Sequence, residues 1–199
     1  MTNMSEILSG ADLDLTALSA HLNRLGHAQR LAECRSVGRA AQRRLYDAAE
    51  GFMPIGLDFV VPAEESGEVV HHGKNSLPAF THFAKVFIRP QGEDAPSDEL
   101  WGYNRGSGFV ESVVGPGYFI THLHEVEGEV LVNYLRVPPR KPVDAWPDIL
   151  PNSARLSRFV YNGTQDILRG VSEHVSIGRA TKGGSDMDAW FLLCREPTS

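Results

Sequence analysis

Along the chain, apolar positions first recur at a helical period and then at a strand period. From about Leu13 to Gly51, Leu15, Leu18, Leu22 and Leu25 form one apolar stripe, interrupted at Gly26. Leu31, Cys34, Val37, Ala41, Leu45 and Ala48 continue it to Gly51, with Pro54 just beyond. A stripe of this spacing ended by Gly and then Pro predicts a helical hairpin, or one helix kinked at Gly26, over residues 13–51. Residues 1–12 are expected to be a flexible N-terminus ahead of one domain, 13–199. Arg35, Arg39 and Arg43 share the face opposite the stripe; they suit a solvated helix face or a docking site for an acidic partner.

From Pro54 onward Gly and Pro become frequent and apolar runs shorten to strand length. Strands are expected at Glu68–His72, His82–Arg89, Leu100–Asn104, Tyr118–His124, Val130–Val137, His174–Thr181 and Asp188–Arg195. Gln91–Glu99 is acidic and contains Pro, as a surface loop does. Pro138–Leu156 carries Pro138, Pro139, Pro142, Pro147 and Pro151, a density that excludes a helix or a central strand. It reads as an extended arm anchored by Trp146. Asn162 followed by Gln165 resembles a capping box, so a short helix is expected near 164–171. Helices first, then turn-linked strands without alternating helices, specify an α+β fold: a helical hairpin packed on a strongly curved antiparallel sheet or a closed β-barrel over 54–199.

The hairpin Tyr118–His124/Val130–Val137 carries the most suggestive side chains. A two-residue Glu127-Gly128 turn sets His124 opposite Leu131 and His122 opposite Asn133. Alternation then puts Tyr118, Ile120, His122, His124, Leu131, Asn133 and Leu135 on one face, and Phe119, Thr121, Leu123, Val130, Val132 and Tyr134 on the other. Neither face is polar, so both are expected to be at least partly buried. An apolar face interrupted by two His and one Asn has the composition of a ligand pocket. The candidate ligand-binding residues are therefore His122, His124, Asn133, Tyr118, Phe87 and Trp190, with Phe83, Phe119, Tyr134 and Phe191 as further apolar wall. His122 and His124 project the same way and can share a metal ion if His71, His72, His82 or His174 converges on them. Hydrogen-bonded His at a barrel rim account for the pattern more simply, and neither a metal nor another cofactor is assigned.

Composition narrows the function classes. The net charge is 19 − 25 = −6, and 42% of residues are hydrophobic. That balance argues against disorder and against a nucleic-acid binder. No apolar run is long enough for a membrane span. The N-terminal residues lack the pattern of a secretion signal, and two unpaired-looking cysteines, Cys34 and Cys194, fit small buried hydrophobes in a reducing cytoplasm. Gly106-Ser107-Gly108 and Gly115-Pro116-Gly117 follow no nucleotide-binding spacing, and no nucleophile elbow occurs. Asp144, Asp148 and Asp166 read as surface carboxylates.

The C-terminal third resembles the end of bacterial lipocalin-like proteins of the GXWXG type. The run is Ala154-Arg155-Leu156, Phe159-Val160-Tyr161, Asp166-Ile167-Leu168-Arg169, His174–Ala180 and Ala189-Trp190-Phe191-Leu192-Leu193-Cys194-Arg195. Leu100-Trp101-Gly102-Tyr103 stands nearest to the Gly-x-Trp-x-Gly element without matching it. The resemblance implies a calycin-like barrel around a small apolar ligand, with no catalytic residue to carry over. Three functions stay open: a module binding a small apolar or amphipathic molecule, an enzyme using His122 and His124 as metal ligands or acid–base groups, and a helix-mediated interaction protein, with homodimerisation possible.

Overall fold

A computed structural model describes residues 3–77, 81–92, 95–106, 115–153 and 161–198. Among the described residues, five helices precede eight strands: α1 (Met4–Ser9), α2 (Leu15–Arg24), α3 (His27–Ser36), α4 (Arg39–Ala48), α5 (Leu57–Val60), β1 (Val69–Asn75), β2 (His82–Ile88), β3 (Leu100–Arg105), β4 (Tyr118–Leu123), β5 (Val130–Asn133), β6 (Thr164–Ser172), β7 (Val175–Lys182) and β8 (Ser185–Arg195). Each strand pairs antiparallel with the next, and β8 returns to β1 (His72 opposite Cys194, Gly73 opposite Leu193), closing an up-and-down barrel. Closure leaves no strand edge exposed, which a half-apolar sheet otherwise presents as a template for aggregation.

The alternation of side chains explains why the ring closes tightly. Three glycines face the interior directly across from three phenylalanines: Gly73 with Phe83, Gly102 with Phe119, and Gly178 with Phe191. A methyl group on any of these glycines would stand 2.3–2.4 Å from the facing ring. The missing side chain is the space that the ring fills. Phe87, Leu100, Val130, Val132, Leu168 and Leu193 complete the inner apolar wall. At one end, residues 53–61 cross the barrel mouth: Ile55 donates its N–H to Gly128 O at 2.9 Å, and Val60 and Val61 pack with the inner wall. His71 lies inside beneath them, its Nε2 2.9 Å from Val60 O and its ring edge-on to Phe87.

Two outer faces are covered in different ways. Helices α1–α4 lay Met4, Leu8, Leu18, Leu22, Cys34, Val37, Leu45 and Tyr46 against Val171, Val175, Ile177, Trp190, Leu192 and Cys194 of β6–β8. The Pro-rich arm covers Val86, Ile88, Trp101, Tyr103, Tyr118 and Ile120 of β2–β4. Trp146 is its anchor, 3% exposed, with Nε1 donating to Glu68 Oε1 at 2.6 Å.

Four expectations are corrected. Met4–Ser9, expected within a flexible lead, form a helix: Asn3 caps α1 through a reciprocal capping box with Glu6, and Met4 and Leu8 are buried. The helical lead has three helices, because the chain turns at Gly26 and again at Gly38, the N-cap residues of α3 and α4. Residues 164–171 are not a helix but most of β6. There Asn162-Gly163 make a turn, with Gly163 at φ 77°, and Asp166, Leu168 and Gly170 alternate inward. The hairpin register is displaced by two residues: His122 faces Leu131 and Ile120 faces Asn133, because the connection is the four-residue Glu125–Gly128 and not a two-residue turn. β5 stops at Asn133, whose Oδ1 accepts from Leu135 N at 2.9 Å and turns the chain away. The stretches Ala154-Arg155-Leu156 and Phe159-Val160, and Ser107-Gly108 of the Gly-rich loop, lie outside the described residues.

Two outcomes test this packing. Gly102→Ala is expected to lower unfolding free energy by about 1–3 kcal/mol in urea titration, since Phe119 and the Val86 carbonyl occupy the added volume. Burial pushes the His71 ring down to about 3, its bond to Val60 O opposing the shift. The unfolded chain takes up a proton below about pH 6.5 that the folded chain refuses until about pH 3, so this residue makes stability fall with pH across that window. His71→Gln removes the proton-binding group, so between pH 7 and 5 the variant is expected to lose about 2 kcal/mol less stability than the parent chain.

Candidate functional site

Lys85 sits in the middle of the inward row Phe83-x-Lys85-x-Phe87 of β2. An ammonium there has no water to solvate it, and its side chain is only 2% exposed. Three neighbours take its three protons. Nζ donates to Asp166 Oδ2 at 3.0 Å, to Asn104 Oδ1 at 3.1 Å and to the Tyr134 hydroxyl. Asp166, from β6, is 8% exposed. Asn104, at the end of β3, turns its amide to Gly117 O and the Tyr134 oxygen, both at 3.0 Å. Every N–H of the ammonium is therefore satisfied, the condition for burying a charge.

Aromatic faces enclose what the polar groups leave open. The rings of Tyr134, Phe191, Phe119 and Phe83 have their centroids 4.9, 5.1, 5.2 and 5.6 Å from Nζ. Their negative π-faces stabilise the cation further in a medium that screens poorly. Burial still lowers the Lys85 pKa, with the Asp166 charge and hydrogen bond opposing. Burial likewise raises the Tyr134 phenol well above its usual value, so it stays a neutral hydroxyl. Tyr161 stacks on Tyr134 at 5.2 Å and extends the aromatic surface. The result is a charge-neutral polar cluster set in an apolar barrel, at the end opposite the 53–61 plug.

The six residues singled out from the sequence divide between inside and outside. Phe87 lies inside, as do Phe83, Phe119, Tyr134 and Phe191. Tyr118 lies on the outer face, its hydroxyl donating to Pro147 O at 2.5 Å beneath the arm. His122 and Asn133 share that outer parity, and His122 holds the Leu123 carbonyl through Nδ1 at 2.9 Å. His124 follows β4 at the plugged end. Its Nδ1 stands 3.1 Å from Glu129 Oε2 and 3.3 Å from Val126 N, and can serve only one of them at a time. Glu129 is held by Arg169 Nε at 2.7 Å, and Arg169 also lies over the Tyr46 ring at 4.2 Å. Trp190 faces outward under the helices, with Arg39, Arg43 and Arg179 around its ring. The structure thus does not gather His122, His124, Asn133, Tyr118, Phe87 and Trp190 into one site. Among the described residues, neither His122 nor His124 belongs to a group of three metal-ligating side chains. The arginine stripe is also reassigned, because Arg39 pairs with Asp188 and both Arg39 and Arg43 cover Trp190 rather than facing solvent alone.

Both faces of the hairpin carry buried apolar side chains, Phe119, Val130 and Val132 in the barrel interior and Tyr118 and Ile120 under the arm, so apolar composition alone does not distinguish inside from outside. Lys85 carried a usable signal, a lone cation at the inward parity of an otherwise apolar strand. Asp166 carried none, since a helix near 164–171 placed it on the surface; it is instead the buried counter-ion.

Removing one partner leaves the other charge buried and alone. Lys85→Met is expected to lower unfolding free energy by about 3–5 kcal/mol, and Lys85→Met with Asp166→Leu to recover most of that loss. Equal loss in single and double variants, measured by urea unfolding, would show that the pair does not interact as described.

Comparison with known protein families, with curated proteins and with solved structures finds no match to this chain.

Proposed function

We propose that the barrel is a binding module for a small apolar or amphipathic molecule whose uncharged polar head meets the Lys85–Asp166–Asn104–Tyr134 cluster. The observation that carries this reading is the composition of the interior: one saturated, charge-neutral polar cluster facing walls made of Phe83, Phe87, Phe119, Phe191 and aliphatic side chains. A site of this kind discriminates by charge. The ammonium is already matched by Asp166, so a carboxylate entering beside it meets a like charge and no spare cation. A hydroxyl, carbonyl or amide can exchange hydrogen bonds with Asn104 and Tyr134 without that penalty. The resemblance of the C-terminal third to lipocalin-like proteins points the same way, toward a barrel holding an apolar ligand.

Native mass spectrometry of gently purified protein is expected to find the chain with a small-molecule adduct; a clean apo mass in repeated preparations counts against the reading. Added dodecanol is expected to bind at least about tenfold more tightly than dodecanoate. Asp166→Asn, which leaves Lys85 unmatched, should reverse the preference. Binding of neither probe, or an order of affinity untouched by that substitution, would reject this assignment of the head group.

A further inference from the structure

Outside the barrel, where the first residue of α3 meets the seam between β1 and β8, three metal-ligating side chains converge. His27, His72 and Glu196 each offer one ligand atom, and these atoms lie within 4.8 Å of one another. Each comes from an anchored piece of backbone. His27 opens α3 directly after its N-cap, Gly26. His72 sits in β1 opposite Cys194, and Glu196 follows two residues later on the same side, its N–H bonded to Val70 O at 2.8 Å as the ladder continues past β8. The His72 Nε2–Glu196 Oε1 distance is 2.5 Å, and the two imidazole centroids are 5.9 Å apart.

We propose that His27, His72 and Glu196 form a binding site for a divalent transition-metal ion of the zinc type, joining the helical layer to the barrel seam. Two imidazoles and one carboxylate are a donor set that such ions take readily, in tetrahedral geometry with a fourth position open. Ligand atoms about 2.0–2.1 Å from a tetrahedral ion stand about 3.3 Å from one another. His72 and Glu196 are closer than that, and no pair of the three atoms is more than 4.8 Å apart, so modest side-chain rotation brings all three to coordination distance. The Glu196 side chain is 43% exposed and supplies the route from solvent. The nearby cations are committed elsewhere: Arg30 donates to the Leu22 and Leu25 carbonyls, and Arg195 donates to the Glu173 carbonyl. The site is independent of the barrel interior, because His72 and Cys194 point outward where His71 and Leu193 point inward.

Isothermal titration of the full chain with zinc, after treatment with a chelator, tests the assignment. One ion per chain is expected, with a rise in melting temperature because the ion binds only where α3 is docked on the seam. His27→Ala, His72→Ala and Glu196→Gln are each expected to weaken binding by at least about tenfold while circular dichroism stays unchanged. Glu196 is half-exposed and lies beyond the last strand, so its substitution separates loss of a ligand from loss of fold. The double variant His122→Ala/His124→Ala is expected to bind as the parent does. Absence of binding at excess zinc, a loss confined to fewer than the three substitutions, or a loss in the His122/His124 variant would overturn the proposal.

Discussion

A lysine ammonium buried in a closed apolar barrel is the constraint around which the rest of this molecule is arranged. Its desolvation is offset only if a counter-charge, two neutral acceptors and several π-faces reach the same point. Those groups come from β2, β3, β6 and the residue after β5, with rings from β2, β4 and β8. No two neighbouring strands can supply that set. The cluster therefore rewards the complete ring and penalises any partial one, which converts an expensive interior charge into a requirement for correct closure.

The Gly–Phe pairs serve the same end by a different route. Three large rings fit inside only because the residue across the ladder has no side chain, and three of the four rings around Lys85 are those phenylalanines. A register slip by one residue would turn each ring outward and leave the ammonium without its cover. Packing and electrostatics thus select one alignment of the same strands.

Much of this architecture is written in local pattern. The helical lead, seven of the strands, the arm and its Trp146 anchor follow from periodicity and proline placement. So does the partition of β4 and β5 residues into two faces, which survives the register displacement because a shift of two preserves parity. The side on which each face lies is different in kind. It depends on what the arm covers, and the arm meets β2–β4 through contacts distant in sequence. β6 was hidden for a related reason: Asn162 and Gln165 satisfy a local helix-capping pattern, while the pairing that makes a strand is supplied by β5 and β7. Asp166 lost its meaning with its strand. The convergence of His27, His72 and Glu196 had no local signature, since 124 residues separate the last two.

The pairing of β1 with β8 also fixes an order of events during synthesis. Helices α1–α4 leave the ribosome before any of the barrel strands, yet the apolar stripe they carry is covered by β6–β8, more than a hundred residues further on. Until those strands arrive the stripe has no permanent partner and β1 has one open edge. The nascent chain must carry the stripe from the emergence of α2 until β6–β8 follow, and the β1 edge from Val69 until β8 follows; a chain arrested before β8 presents them together. For this topology, the interval between the first helix and the last strand is the period of greatest exposure to misassociation.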